Sequence, residues 1–366
     1  MPQPRPRALR DGSAMKTEFR VNNFDLLRII AAAQVVVIHS FSHLHIAHPW
    51  GWSAIDAFPG VPIFFVISGF LISASYERST DLASYSRNRI LRIVPGLWCV
   101  IILTVPVAMA FGYHFFNVRA AAWFVSQLAG LIFTPGFLKS FGFGSYNGAL
   151  WTIPIELQFY FVLPLLYLAT KRAPKRRTQV FVAVWAVFVV IAFIYATKSA
   201  PLAENTIEST GHKLFRYSFV PHIYMFLAGV LLQRFKAHQS RWMAGRGAYW
   251  LAAYLVVHFS LPEGSAAKYI ASTLMLSVTV ISIAYTLPGI AHRVLNGNDI
   301  SYGVYIYHGL ILNIMVERGY HGRIAYVPLV MLLTAIVAFA SWRLVEQPFL
   351  RRKRGSIKAA PPPLAM

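Results

Sequence analysis

The chain is poor in charge and poorer still in acid: 13% of its 366 residues are charged, and 13 Asp+Glu stand against 34 Lys+Arg. A soluble domain carries about a quarter charged residues, so this composition, at 57% hydrophobic, excludes soluble globular and disordered classes. A single cysteine, Cys99, excludes an intramolecular disulfide, and no CxxC or Cys/His metal spacing occurs. No internal repeat of fixed period and no inverted half-to-half similarity is present. The net charge of +21 would suggest nucleic acid in a soluble protein. Here, however, the bases sit in short segments between long apolar runs, which is membrane topology, and no nucleic-acid partner is expected.

A membrane-crossing helix needs roughly 20 mostly apolar residues. Candidates fall near 24–41, 60–76, 93–111, 120–137, 148–169, 179–197, 217–233, 248–261, 267–287, 302–316 and 326–342. The first, which contains Arg28 and has no small-residue cleavage site after it, reads as a retained span rather than a secretory signal. If 120–137 does not cross, 25 Lys+Arg fall on the side of the N-terminus and eight on the other; if it crosses, the split is 16 to 17. The positive-inside rule favours the first arrangement. The expected fold is therefore all-α, a polytopic helical bundle of about ten spans with both termini cytoplasmic, plus one re-entrant or interfacial helix on the outer side that stops at Pro135-Gly136. The expected organisation is a basic tail (1–23), a transmembrane domain (24–346) and a basic, Pro-rich tail (347–366), with disorder expected over 1–20 and 351–366.

Ionisable groups within a span cost at least ~2.5 kcal/mol each near its centre, so function is sought there. Arg28 and His39 lie eleven residues apart on the first span, about 16 Å along the axis and within about 20° of one face. Snorkelling of Arg28 and a structural hydrogen bond from His39 remain an alternative reading. Glu156, in Trp151-Thr152-Ile153-Pro154-Ile155-Glu156, is placed by the topology at the depth of His39, where a carboxylate can orient an imidazole for general-base work. It can equally pair with a structural arginine. Arg89 and Arg92, at i and i+3, share a face at the cytoplasmic start of the third span and suit two phosphates, or else anchor the span. Ser68-Gly69 reads as a small pair for close helix packing. Tyr305 and His308, one turn apart, are placed on the cytoplasmic side, lining a path or joining helices. His43, His45 and His48 lack a neighbouring carboxylate or cysteine, so no metal site is expected.

Four elements taken in order resemble acyltransferase family 3, the bacterial integral-membrane O-acyltransferases of surface and secreted glycans. They are Arg28-x10-His39, Phe64-Phe65-Val66-Ile67-Ser68-Gly69-Phe70-Leu71-Ile72, Arg89-x-x-Arg92 and Trp151-x4-Glu156-x-x-Phe159-Tyr160, with weaker support from Tyr305-x-x-His308. The resemblance implies acetyl-CoA or another acyl-CoA as cytoplasmic donor substrate, with no permanently bound cofactor. It also implies a sugar hydroxyl as acceptor, essential roles for Arg28 and His39, and donor binding by Arg89 and Arg92. Pro62 stands where many members carry an acidic residue, so no role for that carboxylate transfers, and the esterase-like extra domain of some members is absent.

The expected mechanism has acyl-CoA dock its phosphates on Arg89 and Arg92, with the pantetheine arm running past Arg28. His39, oriented by Glu156, then deprotonates the acceptor or carries the acyl group. The expected acceptor is a lipid-linked or nascent exopolysaccharide or lipopolysaccharide sugar at the bacterial inner membrane. Succinyl transfer is the near rival, and a transporter or flippase using the same buried groups as a substrate or proton path is the distant one.

Overall fold

The computed structural model describes residues 22–79, 81–198 and 210–354. Among them there is no strand. The main helices are α1 (Phe24–His43), α2 (Gly60–Arg78), α3 (Leu82–Ala110), α4 (Val118–Leu128), α5 (Thr152–Ala169), α6 (Arg177–Lys198), α7 (Ile223–Arg234), α8 (Gly247–Ser260), α9 (Ala266–Ala284), α10 (Ser301–Glu317) and α11 (Tyr326–Ser341). Seven of the described helices, α1, α2, α3, α5, α6, α9 and α11 with their flanking turns, are long and apolar enough to cross a membrane. The other expected spans correspond to the shorter α7, α8 and α10. At 12 residues α7 is roughly 18 Å long. It is tolerated because every residue from Ile223 to Leu231 is buried in protein.

Hydrogen bonds between chain ends fix how the helices alternate. At one end Asn23 N donates to Ala284 O (2.9 Å) and Gly245 N to Tyr285 O (3.3 Å). At that same end Glu77 ties Arg234 (2.7 Å) and Tyr167 (2.8 Å), gathering the termini of α2, α5 and α7. At the opposite end Gly322 N donates to Leu44 O (2.8 Å) and Gly142 N to Glu317 Oε1 (2.8 Å). Tyr113 also reaches Glu317 there (3.2 Å), so the chain on both sides of α4 belongs to one end. The eleven-residue α4 dips in far enough for Trp98 Nε1 to donate to Leu128 O (2.9 Å) and then turns back, with Trp123 Nε1 donating to Phe133 O (3.1 Å). Segment 120–137 thus begins and ends at one end of the bundle, which both the re-entrant and the interfacial arrangement require.

The centre of the bundle is the α2–α7 contact. A Cβ at Gly69 would fall on the Phe226 carbonyl, and one at Gly229 on the Val66 carbonyl, so each glycine admits the other helix's backbone. At the periphery α6 buries little beyond Phe181 and Ala192, and exposes Val182, Val187, Val190 and Ile194, an apolar face of the kind a membrane or a protein partner covers. Past α11 a π-helical turn, Trp342–Glu346, leads into a helix over Gln347–Arg354. The expected tail from 347 therefore begins as helix, and 351–354 are ordered where disorder was expected. The rest of both expected tails, residues 1–21 and 355–366, lies outside the described residues.

Candidate active site

Helix α2 supplies one wall of a narrow cavity of about 70 Å³. Val61, Phe64, Ser68, Leu71 and Ile72 line it at helical spacing, a stripe whose eleven steps of rise span about 16 Å. Facing them are Arg28 from α1, Arg89 and Arg92 from α3, Glu156 and Tyr160 from α5, and Tyr302 and Tyr305 from α10. Four of the five residues singled out from sequence therefore meet around one cavity. Its wall carries three guanidiniums and one carboxylate.

The three arginines are not equivalent. Arg92 donates to Asp299 at 2.7 Å, and Arg28 is held between Asp299 (3.4 Å) and Asp25 (3.2 Å). Burial opposes the charge on Asp299, but Arg92 and Arg28 outweigh it and hold its carboxyl down at about 2. Ser301 adds its hydroxyl and its backbone N–H. Arg89 instead reaches Ser75 Oγ (3.3 Å) and lies 5.9 Å over the Tyr160 ring, and its Nε is buried with no protein partner. Of the two arginines expected to bind phosphate, Arg89 keeps unspent donors, whereas Arg92 is committed to an internal ion pair.

Glu156 accepts from Ser68 (3.1 Å) and from Tyr160. Ser68, expected only to pack, thereby joins the polar wall, while its neighbour Gly69 does the packing. The expected Glu156–His39 pair does not form. His39 Nδ1 instead lies 2.9 Å from His308 Nε2. This also corrects the depth expected for His308. Arg28 meets Asp299 and His39 meets His308, so α1 and α10 run parallel, but α1 begins about a turn earlier and the two helices cannot be compared from their first residues. Tyr305 follows His308 outward: its ring is 5.9 Å from that of His308, and its hydroxyl is 2.9 Å from Thr152 Oγ1. Tyr305 and Thr152 both line the cavity, so the imidazole pair stands just behind its far end.

The partners assign the tautomers. His308 Nδ1 lies 3.3 Å from the Val304 carbonyl, which can only accept, so Nδ1 bears the hydrogen and Nε2 the lone pair. His39 Nδ1 must then donate to it, which leaves His39 Nε2 as a free base. The other histidines of the first loop go separate ways: His43 stacks on Phe143 (3.8 Å), His48 on Trp52 (3.9 Å), and His45 approaches His321. Among the described residues no group of three His, Cys, Asp or Glu is arranged to hold a metal.

Asp299 was missed because only the spans were searched for costly charges, and it lies in the loop before α10. Its signal was available: an acid, in a chain poor in acids, two residues before a helix that carries a histidine.

Residues 21–343 match the family described as "Acyltransferase domain". The chain is 30% identical over 356 residues to "Nodulation protein 10" of Rhizobium leguminosarum bv. viciae, covering 90% of this chain and 93% of that protein. It is 25% identical over 347 residues to the "O-acetyl transferase" of Shigella phage Sf6, covering 90% and 96%. It is 26% identical over 320 residues to "Exopolysaccharide production protein ExoZ" of Rhizobium meliloti, covering 81% and 90%. No solved structure matches.

Proposed function

Because the chain belongs to the acyltransferase family whose domain matches residues 21–343, we propose that it transfers an acetyl group from acetyl-CoA to a hydroxyl of a nascent or lipid-linked surface polysaccharide. In this reading the Arg28–Arg92–Asp299 end of a ten-span bundle faces the cytoplasm of a bacterial inner membrane, where acyl-CoA is found, with both termini inside, and the charge split supports that orientation. Arg89 takes a CoA phosphate with its free Nε and guanidinium edge. The pantetheine arm threads the cavity past Arg28, and Glu156 accepts from its amide N–H groups.

At the far end His39 Nε2 removes the proton from the acceptor hydroxyl. The sugar oxygen attacks the thioester carbonyl, a C–O bond forms, the C–S bond breaks, and the CoA thiolate leaves and recovers the proton from His39. His308 holds His39 in the tautomer this requires. The observation that carries the reading is a cavity lined by three arginines with an oriented imidazole pair standing behind its Tyr305 wall. Two relatives bear names that speak of O-acetyl transfer and of exopolysaccharide, which supports acetyl as the group and glycan as the acceptor. The test is NMR of surface-glycan O-acetyl groups in cells with and without the gene, alongside acetyl-CoA turnover by the purified protein. Unchanged O-acetyl content together with no turnover would refute the reading.

A further inference from the structure

A second, larger cavity of about 550 Å³ opens near the starts of α2, α5, α7 and α9, the ends remote from Glu77 and Arg234. Its volume lies in the range of small-molecule sites. Trp151, Tyr195, Tyr254 and Tyr269 give it aromatic faces, and Ser272 brings a buried hydroxyl with no protein partner. Its formal charges balance: Asp56 and Glu263 against Arg216 and Lys268, with Lys268 already paired to Glu263. An anion has no excess of cations here, in contrast to the arginine-lined cavity. Aromatic faces beside neutral and paired polar groups suit a ring with C–H faces and peripheral hydroxyls, namely a pyranose. The two cavities share their wall: Val61 and Thr152 line the first, and the adjoining Pro62 and Trp151 line the second.

We propose that this second cavity is the acceptor subsite, binding a neutral sugar unit of the glycan one residue layer from the acyl group. The assignment rests on the acyltransferase reading above and adds to it where the sugar is held and which residues choose it. Tyr269 provides a stacking face and Ser272 a hydroxyl contact, so both are specificity residues remote from the arginines and the imidazole pair.

The experiment uses purified full-length protein, acetyl-CoA, and the polysaccharide extracted from a strain lacking the gene. Acetyl-CoA affinity is measured beside the KM for polysaccharide in the wild type, Tyr269→Ala and Ser272→Leu. The expected result is a KM for polysaccharide raised about tenfold or more in both variants, which is about 1.4 kcal/mol of lost binding, with acetyl-CoA affinity unchanged. An active wild type whose KM for polysaccharide is unchanged in both variants overturns the subsite alone. A wild type that binds acetyl-CoA but acylates no polysaccharide overturns the function reading and the subsite with it.

Discussion

Asp299 stands between two guanidiniums, buried to 9% exposure, and each arginine depends on it for neutralisation. Removing one partner of a buried pair typically costs ~3–5 kcal/mol, so Asp299→Ala is expected to lower the thermal midpoint in detergent strongly. Because its carboxyl is held at about 2, below the ordinary 3.8, its stabilisation is complete above about pH 4 and is lost as pH falls toward 2. Asp299→Asn should remove that part of the acid sensitivity in a pH series of melting curves. Arg89 makes no such ion pair among the described residues, and Arg89→Ala should leave the melting point near wild type while raising the KM for acetyl-CoA far more than that for the acceptor. Arg89→Lys should not restore donor binding, since a point charge does not replace the fork. For His308 the kinetic split is the readout: His308→Ala should lower kcat with little change in either KM, by less than His39→Ala does.

At the scale of the helix, sequence reading succeeded where periodicity governs and failed where two elements must be set against each other. The face shared by Arg28 and His39, the return of 120–137 to the end of the bundle it starts from, and the approach of Arg89 and Arg92 to one cavity all follow from helical geometry and charge placement. The partner of His39 does not. It lies 269 residues away, and the offset between α1 and α10 is decided by packing. Ser68 was assigned to packing because it adjoins Gly69, but successive helical residues point about 100° apart, and only Gly69 faces α7. The α2–α7 contact carries its own prediction. Gly69→Ala and Gly229→Ala each place a methyl on backbone of the other helix, an overpacking cost of ~1–3 kcal/mol or more. Both variants should show lowered melting points or poor yield, whereas an alanine at Gly211, which meets nothing, should not.

For the whole molecule, the proposed reaction, with its donor at one end and its acceptor at the other, requires that the two ends face different compartments. Introduced cysteines, with Cys99 replaced, test this: Lys175→Cys should react with a membrane-impermeant maleimide only after the inner face is exposed, and Lys139→Cys should react from outside. Labelling of Lys175→Cys in intact spheroplasts would reverse the topology. The account as a whole turns on His39 acting as the base behind the far end of the arginine-lined cavity. Its most direct measurement is the transfer of labelled acetyl from acetyl-CoA to extracted polysaccharide by purified wild type and His39→Ala, with acetyl-CoA binding measured on the same samples. The account predicts intact donor binding and a transfer rate lower by ~10²–10⁴-fold. A His39→Ala protein that binds acetyl-CoA and acylates the polysaccharide at the wild-type rate would contradict it.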